Sequence, residues 1–481
     1  MEAWSNVDTF SPNREKTNDY RLSFRPTNYT VPPRDGVKSD DVGKSNSSKK
    51  KHIIDDLESF SQNTTLHGLN YVTSKESSTA RRLAWTVIVT TMMIVFIYIG
   101  IINNVLRYLD RPINTIISMN YLLDMDFPAV TICNYNQWKA SIVGPDNINM
   151  LFLLSWSTLK YPDQQTLDII NATKRDFDLT DFNMTHQIED MLMSCSWKNA
   201  ERCGPRDFRR VVTQWGVCYT FNNPENSSQV RKVKQSGSNY GLSMRLKVEQ
   251  EEYIHGDNTG AGIRILVHEQ GQIPLVKSLG FSVSPGFESH VGMRHTKVEN
   301  LPYPYPSNCR QKALKFGPYT AQTCHYECYV DYVIKNCGCR DYRMPGDVRI
   351  CDVYETITCV NNATFDFILE EERCSCPTAC STGVYDVRVS STYWPSSYVT
   401  NMYLTPMNVS ETEARKNLLD VKIYFEELSF EKVEQIPAYD LLSLLGDIGG
   451  YMGLLCGMSL TTIFEFVDFF VCVFNKGWKI R

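Results

Sequence analysis

LLSLLGDIGGYMGLLCGMSLTTIFEFVDFFVCVF runs from Leu441 to Phe474. It is apolar for well over the ~20 residues that a helix needs to cross a bilayer. Yet Asp447, Glu465 and Asp468 lie inside it, and a carboxylate within a span costs ~2.5–3.5 kcal/mol even on a lenient scale. Such residues normally face a bundle interior or a water-filled path. Gly449, Gly453 and Gly457 recur every four residues, so on a helix they form one small-residue stripe, with Gly446 and Gly450 beside it. The plain alternative is a packing face on an anchor helix. Glycines, acids and excess length coincide here, and together they indicate a pore-lining segment.

Outward from this stretch, the 481-residue chain exceeds one typical domain, and its net charge of −5 gives no footprint for a nucleic-acid partner. Of 16 cysteines, none precedes Cys133, and Cys456 and Cys472 belong to the apolar segment. The other fourteen fall between Cys133 and Cys380. An even block this dense implies an oxidising, extracytoplasmic compartment with up to seven disulfides. Cys337-x-Cys339 and Cys374-x-Cys376 lack the CxxC spacing of zinc sites.

The first 60 or so residues are polar, proline-punctuated and without apolar period, which predicts disorder, and no removable signal peptide is evident. Ala84 to Ile102 is an uncharged run of one membrane helix's length. Arg81 and Arg82 precede it, Lys49 to Lys51 lie upstream, and Lys476, Lys479 and Arg481 follow the last apolar segment. Basic outer flanks place both termini in the cytoplasm and the cysteine-rich middle outside. The expected organisation is a cytoplasmic region over 1–83, a first span over 84–103 and an extracellular domain over 104–436. A second span over 437–474 and a cytoplasmic end over 475–481 complete it. Asn171, Asn183, Asn226, Asn362 and Asn408 head glycosylation sequons in the extracellular part; Asn28, Asn46 and Asn63 head unused ones on the other side.

Within the middle region, Phe127 to Asn134 reads as a strand and Asn147 to Lys198 as polar and helical. Val211 to Phe221 and Gly262 to His268 read as strands. Tyr319 to Lys335 reads as a helix carrying Cys324 and Cys328 on one face. Asp420 to Leu428 alternates, with Val421, Ile423 and Phe425 on one side, and leads directly into the pore segment.

Leu444-Leu445-Gly446-Asp447-Ile448-Gly449-Gly450, then Gly457-Met458-Ser459 and Leu460 to Glu465, resemble the second transmembrane segment of degenerin/epithelial sodium channels. The likeness runs from about His67 to Asp468 and falls in the acid-sensing, peptide-gated and bile-acid-sensitive branch. It implies that Gly457, Met458 and Ser459 are a selectivity filter, that His67 and Gly68 are a gating motif, and that Gly446 is where large side chains hold the pore open. Gly450, Glu465 and Asp468 join Gly446 and Asp447 as pore or gate residues. The implied disulfides are Cys133–Cys218, Cys195–Cys203, Cys309–Cys380, Cys324–Cys376, Cys328–Cys374, Cys337–Cys359 and Cys339–Cys351. The implied fold is an α+β membrane protein, trimeric, with two transmembrane helices per chain. Its hand-like ectodomain has a β-sheet palm and a helical thumb over about 309–380. The tryptophan that acid-sensing members carry before the first thumb cysteine is replaced by Tyr303 and Tyr305, with Tyr108 as the expected partner.

Three function classes follow. The first is a ligand-gated, amiloride-sensitive-type sodium or cation channel subunit in the plasma membrane, a homo- or heterotrimer with sister subunits, passing Na+ without a cofactor. Asp447 repeated around an axis would form a carboxylate ring suited to calcium block. The second is a non-conducting two-span receptor, which leaves Asp447, Glu465 and Asp468 unexplained. The third, an ectoenzyme, fails because His255, His268, His290, His295 and His325 show no metal-ligand spacing and no Gly-x-Ser-x-Gly elbow occurs. As for the stimulus, Asn103 to Asp126 contains no histidine, and His186 is the first outside. Glu249, Glu251 and Glu252 remain, but the connection from Tyr253 to Gly262 is short and holds only Asp257 as an acid. This favours opening by a short extracellular neuropeptide, with protons as the alternative.

Overall fold

Period-two alternation builds the middle of the chain. In the computed structural model, which describes residues 56–144, 168, 179, 181–223, 230–254, 258–370 and 373–479, the longest strand is Leu418–Pro437. Leu419, Val421, Ile423 and Phe425 are buried along it, while Asp420, Lys422 and Tyr424 are half-buried. The arm before Asp56, most of the stretch expected to be helical after Asn147, Asn171, Asn226, His255, Asp257 and Arg481 lie outside the described residues.

Among the described residues, two large sheets and one two-stranded ribbon, Met125–Asp126 with Lys232–Val233, carry this region. The seven-stranded one is ordered Ser381–Tyr393, Phe287–Glu299, Leu418–Pro437, Leu242–Lys247, Leu192–Trp197, Glu201–Arg202, and Ile113–Tyr121 pairs with the far half of the long strand. Phe287–Glu299 runs parallel to the long strand. Its register slips between Met293 and His295, where the partner jumps from Phe425 to Phe430. The five-stranded sheet is ordered Phe281–Val283, Ile263–His268, Ala129–Asn134, Gly216–Phe221, Phe208–Thr213. One core lies between the sheets, drawing Ile132, Phe221, Ile263 and Ile265 from one and Trp197, Leu242, Met293 and Phe425 from the other. Phe127 packs edge-on against Trp197 with 4.7 Å between ring centroids.

Two expectations are corrected. Val211 to Phe221 is a hairpin, because Gly216 adopts φ +118° and the Trp215 N–H donates to Thr213 Oγ1 at 3.0 Å. Leu192–Trp197 is a strand, not the end of a helix, and the α-helical turn Ile188–Met191 directly precedes it. Leu192, Cys195 and Trp197 are buried there, and Trp197 belongs to the core.

The helix Ala321–Cys337 starts on the Thr320 side chain, which accepts the Thr323 N–H, and stops at Gly338 in left-handed conformation (φ 68°). Cys324 and Cys328, one turn apart, bond Cys376 and Cys374. The remaining pairs are Cys133–Cys218, Cys195–Cys203, Cys309–Cys380, Cys337–Cys359 and Cys339–Cys351. All seven coincide with the pairing the resemblance implies.

Contacts divide the chain into two compact units, one of Met1–Met93 with Gly453–Arg481 and one of Ile94–Met452. The first apolar helix is longer than the expected span: Thr79–Leu109, 31 residues, long and apolar enough to cross a membrane. The last apolar segment is two helices, Leu441–Cys456 and one from Leu460 to Lys479, bent by 73° at their junction.

Candidate functional site

The junction is Gly457-Met458-Ser459, and each end of it has a local cause. Gly457 takes φ +63°, the left-handed conformation that terminates a helix, and its N–H still closes the last turn on Gly453 O at 3.0 Å. Ser459 opens the next helix. Its carbonyl accepts the Thr462 N–H at 3.0 Å, and its own N–H donates to Thr462 Oγ1 at 3.0 Å, a reciprocal cap. The small-residue stripe therefore ends at Gly453; Gly457 lies off it, correcting the single stripe expected from spacing. Gly446, Gly449 and Gly450 face open space, for a Cβ on any of them would meet nothing within 4 Å.

Residues from the far end of the sequence pack against this junction. A helical stretch over 56–63 is followed by Thr64 to Gly68. The His67 N–H donates to Cys456 O at 3.1 Å, and a Cβ on Gly457 would overlap the His67 imidazole. Glu465 Oε2 accepts from Thr64 Oγ1 at 3.0 Å and from the Thr65 N–H at 3.2 Å. The Thr65 and Thr462 hydroxyls share a further hydrogen bond. Phe60 meets Phe469 (4.5 Å) and Phe466 (5.0 Å). Gly68 sits at φ +87°, and a Cβ there would come within 2.9 Å of Val89 and 3.2 Å of Trp85. Glycine is thus demanded twice at Gly68, by conformation and by space.

Of the pore candidates, Glu465 anchors this loop. Asp468 lines a cavity of about 330 Å³ with Asp56, Ser59, Asn63 and Cys472. Asp447 is held from within its own chain: Tyr439 donates its hydroxyl to Oδ2 at 2.7 Å, and the Arg107 guanidinium lies 4.8 Å from the Tyr439 ring centroid. Thr64, Thr65 and Arg107 carry no local mark in the sequence, since their partners lie hundreds of residues away.

The three carboxylates retained in the β-rich domain are each occupied. Glu249, 6% exposed, meets Lys139 Nζ at 3.1 Å and His186 Nδ1 at 2.9 Å. Burial pushes the Glu251 carboxyl up, but Lys247, at 2.7 Å, and Asn417 outweigh it and hold it below its usual range. Glu252 accepts the Ser141 N–H at 2.9 Å, which keeps it low as well. Asn183, Asn362 and Asn408 are exposed. Tyr303 is 79% exposed, and Tyr108 carries Arg111 over its ring at 4.1 Å, so no ring contact joins them among the described residues.

Comparison with known proteins adds a family. A family model described as amiloride-sensitive sodium channel matches residues 60–469. The chain is 33% identical over 444 residues to acid-sensing ion channel 4-B of Danio rerio, covering 88% of this chain and 76% of that one. It is 32% identical over 442 residues to acid-sensing ion channel 1 of Gallus gallus, covering 86% and 83%. Acid-sensing ion channel 4 of Homo sapiens is 32% identical over 460 residues, covering 88% and 80%. Among solved structures, a proton-activated chloride channel matches with a TM-score of 0.34 and 7% identity, covering 83% of this chain and 98% of that one. So distant a likeness carries no argument.

Proposed function

Because the chain belongs to the amiloride-sensitive sodium channel family, and its relatives are ion channels rather than enzymes, we propose that it is one subunit of a trimeric sodium-selective channel of the plasma membrane. The chain crosses the bilayer twice, at Thr79–Leu109 and at the bent pair from Leu441, and both termini are cytoplasmic. The observation that carries this reading is the junction at Gly457-Met458-Ser459. A helix broken inside an apolar segment frees backbone carbonyls, and irregular backbone at membrane depth is tolerated where it lines a water-filled path. Carbonyls and the Ser459 hydroxyl replace part of the ion's hydration shell there. The His67 loop packs on the same backbone and sets its position. The open glycine face at Gly446, Gly449 and Gly450 suits close approach of a second copy, and Asp447 repeated around the axis forms a ring that calcium occupies.

The stimulus in this reading is a short cationic peptide from outside. Proton gating needs groups that titrate between about pH 5 and 7. The carboxylates Glu251 and Glu252 are instead held low by their partners. Proton gating is the second reading, favoured by the names of the relatives. Voltage clamp of cells expressing the chain, alone and with sister subunits, tests both. Sodium current on application of amidated peptides supports the first; large transient currents on a step to acid, with silence to peptides, support the second. A chain that reaches the surface and conducts under neither condition favours a non-conducting receptor.

A further inference from the structure

His295 sits where two strands and a loop converge. It is 8% exposed, at the point where Phe287–Glu299 slips register against Leu418–Pro437. Its ring stacks on Tyr385 of Ser381–Tyr393, with 4.6 Å between centroids and 12° between planes, and Phe430 of the long strand lies at 6.2 Å. The Nε2 atom is buried and has no hydrogen-bond partner. Facing it is Glu269, which follows Ile263–His268 of the other sheet, with Oε1 at 3.7 Å. That gap is just beyond hydrogen-bonding range. The second Glu269 oxygen accepts from Gln272 Nε2 at 3.3 Å. Gly383 leaves the room for this arrangement: a Cβ there would overlap the Glu269 carboxylate and lie 3.0 Å from His295 Nε2.

A buried imidazole nitrogen without a partner is costly, and the nearest group that could satisfy it is the carboxylate across the gap. We propose that His295 and Glu269 are a proton-operated clasp between the two sheets. With a proton taken from solvent both ring nitrogens carry hydrogen and the ring is charged, and the carboxylate moves across the gap into a charge-assisted hydrogen bond from Nε2. The other groups around the ring do not compete. Burial and the carboxylates of Glu269 and Asp126 push the Tyr385 hydroxyl up, so it stays neutral. His268 is held down to about 4 by burial, and its nitrogens already meet Thr131 and the Glu269 carbonyl. On the same strand, Arg294 pairs with Glu426 at 2.6 Å, and Lys297 lies over the Phe430 ring at 4.7 Å. Opposite Thr296, Asp386 accepts its hydroxyl at 3.4 Å, and Glu431 is its register partner on the long strand.

The clasp fastens the Glu269 loop to the strands beside Leu418–Pro437, which leads into Leu441–Cys456. It tightens in acid whatever opens the channel, so it goes beyond the stimulus proposed above. The test is thermal unfolding of the full-length chain in detergent at about pH 8 and about pH 5.5 at one ionic strength. The pair contributes stability while the ring is protonated and loses it as pH rises. Glu269→Gln and His295→Gln should therefore each lose at least ~2 °C of the change that acid produces in the unmodified chain. The double variant should lose no more than either single one. Gly383→Ala, which occupies the carboxylate's space, should behave like Glu269→Gln. Glu269 is the more exposed partner, so its variant carries the test if His295→Gln does not fold. An unchanged acid response in Glu269→Gln, or additive losses in the double variant, would overturn the clasp.

Discussion

The Cys309–Cys380 segment and the Gly457 junction solve opposite problems with opposite chemistry. The first is cross-linked by five disulfides within 72 residues, each worth ~2–5 kcal/mol when removed from a small secreted domain. The second has no covalent tie, and both cysteines of its apolar segment, Cys456 and Cys472, are free thiols. It is held by a backbone bond from His67 to Cys456 and by two donors on Glu465. Hydrogen bonds contribute ~0.5–1.5 kcal/mol each, and ~1.5–3 kcal/mol to a charged group. Covalent staples fix one shape, whereas bonds of that size can be exchanged at modest cost. In the function proposed above, the second property is the one required where a channel opens.

The comparison can be broken most sharply at Gly457. Gly457→Val meets both the left-handed backbone and the His67 ring, and it should abolish sodium current while surface biotinylation stays within about twofold of the unmodified chain. Next in size is loss of a staple. Cys324→Ser with Cys376→Ser should reduce surface abundance several-fold by destabilisation, read by biotinylation and limited proteolysis. Glu465→Gln keeps the shape but weakens the charge-assisted bonds from Thr64 and Thr65. A loss of ~1.5 kcal/mol would shift apparent agonist sensitivity about tenfold, and Thr64→Ala on that background should add little. Asp447→Asn should weaken external calcium block several-fold, with Tyr439→Phe producing a smaller shift in the same direction.

The smallest effect expected concerns pH. Glu251 and Glu252 have depressed values when folded, so their contribution to stability is present above the unfolded carboxylate range. It is lost only as pH falls through the lower folded value. Glu251→Gln and Glu252→Gln should leave channel responses between about pH 5 and 7 unchanged. A clear shift in that window would return these carboxylates to the role of proton sensor.

What the sequence shows and what it hides divide along the same line. Alternation from Asp420 to Leu428, with Val421, Ile423 and Phe425 on one side, and the i, i+4 cysteines at 324 and 328 are local patterns; those three side chains are buried along the long strand and both cysteines lie on one helix. The Leu192–Trp197 strand was missed because its burial comes from partners across a sheet, not from its own period. The glycine spacing suggested one stripe through Gly457, yet Ser459 and Thr462 form a helix cap that breaks it, and that cap was present in the sequence to be read. The Thr64–Glu465 bond spans 401 residues and leaves no local signal. The acidic residues Glu249, Glu251 and Glu252 are countable from composition, and Lys247 lies only four residues from Glu251, but Lys139, His186 and Asn417 are brought to them only by folding.

The central claim is that sodium is selected at the backbone between Gly457 and Ser459. Bi-ionic reversal potentials, with sodium outside and potassium inside, measure it directly in Gly457→Ala and Ser459→Cys channels. The account predicts that the reversal potential becomes more negative as the sodium-to-potassium permeability ratio falls. Robust current with an unmodified permeability ratio in both variants would contradict it.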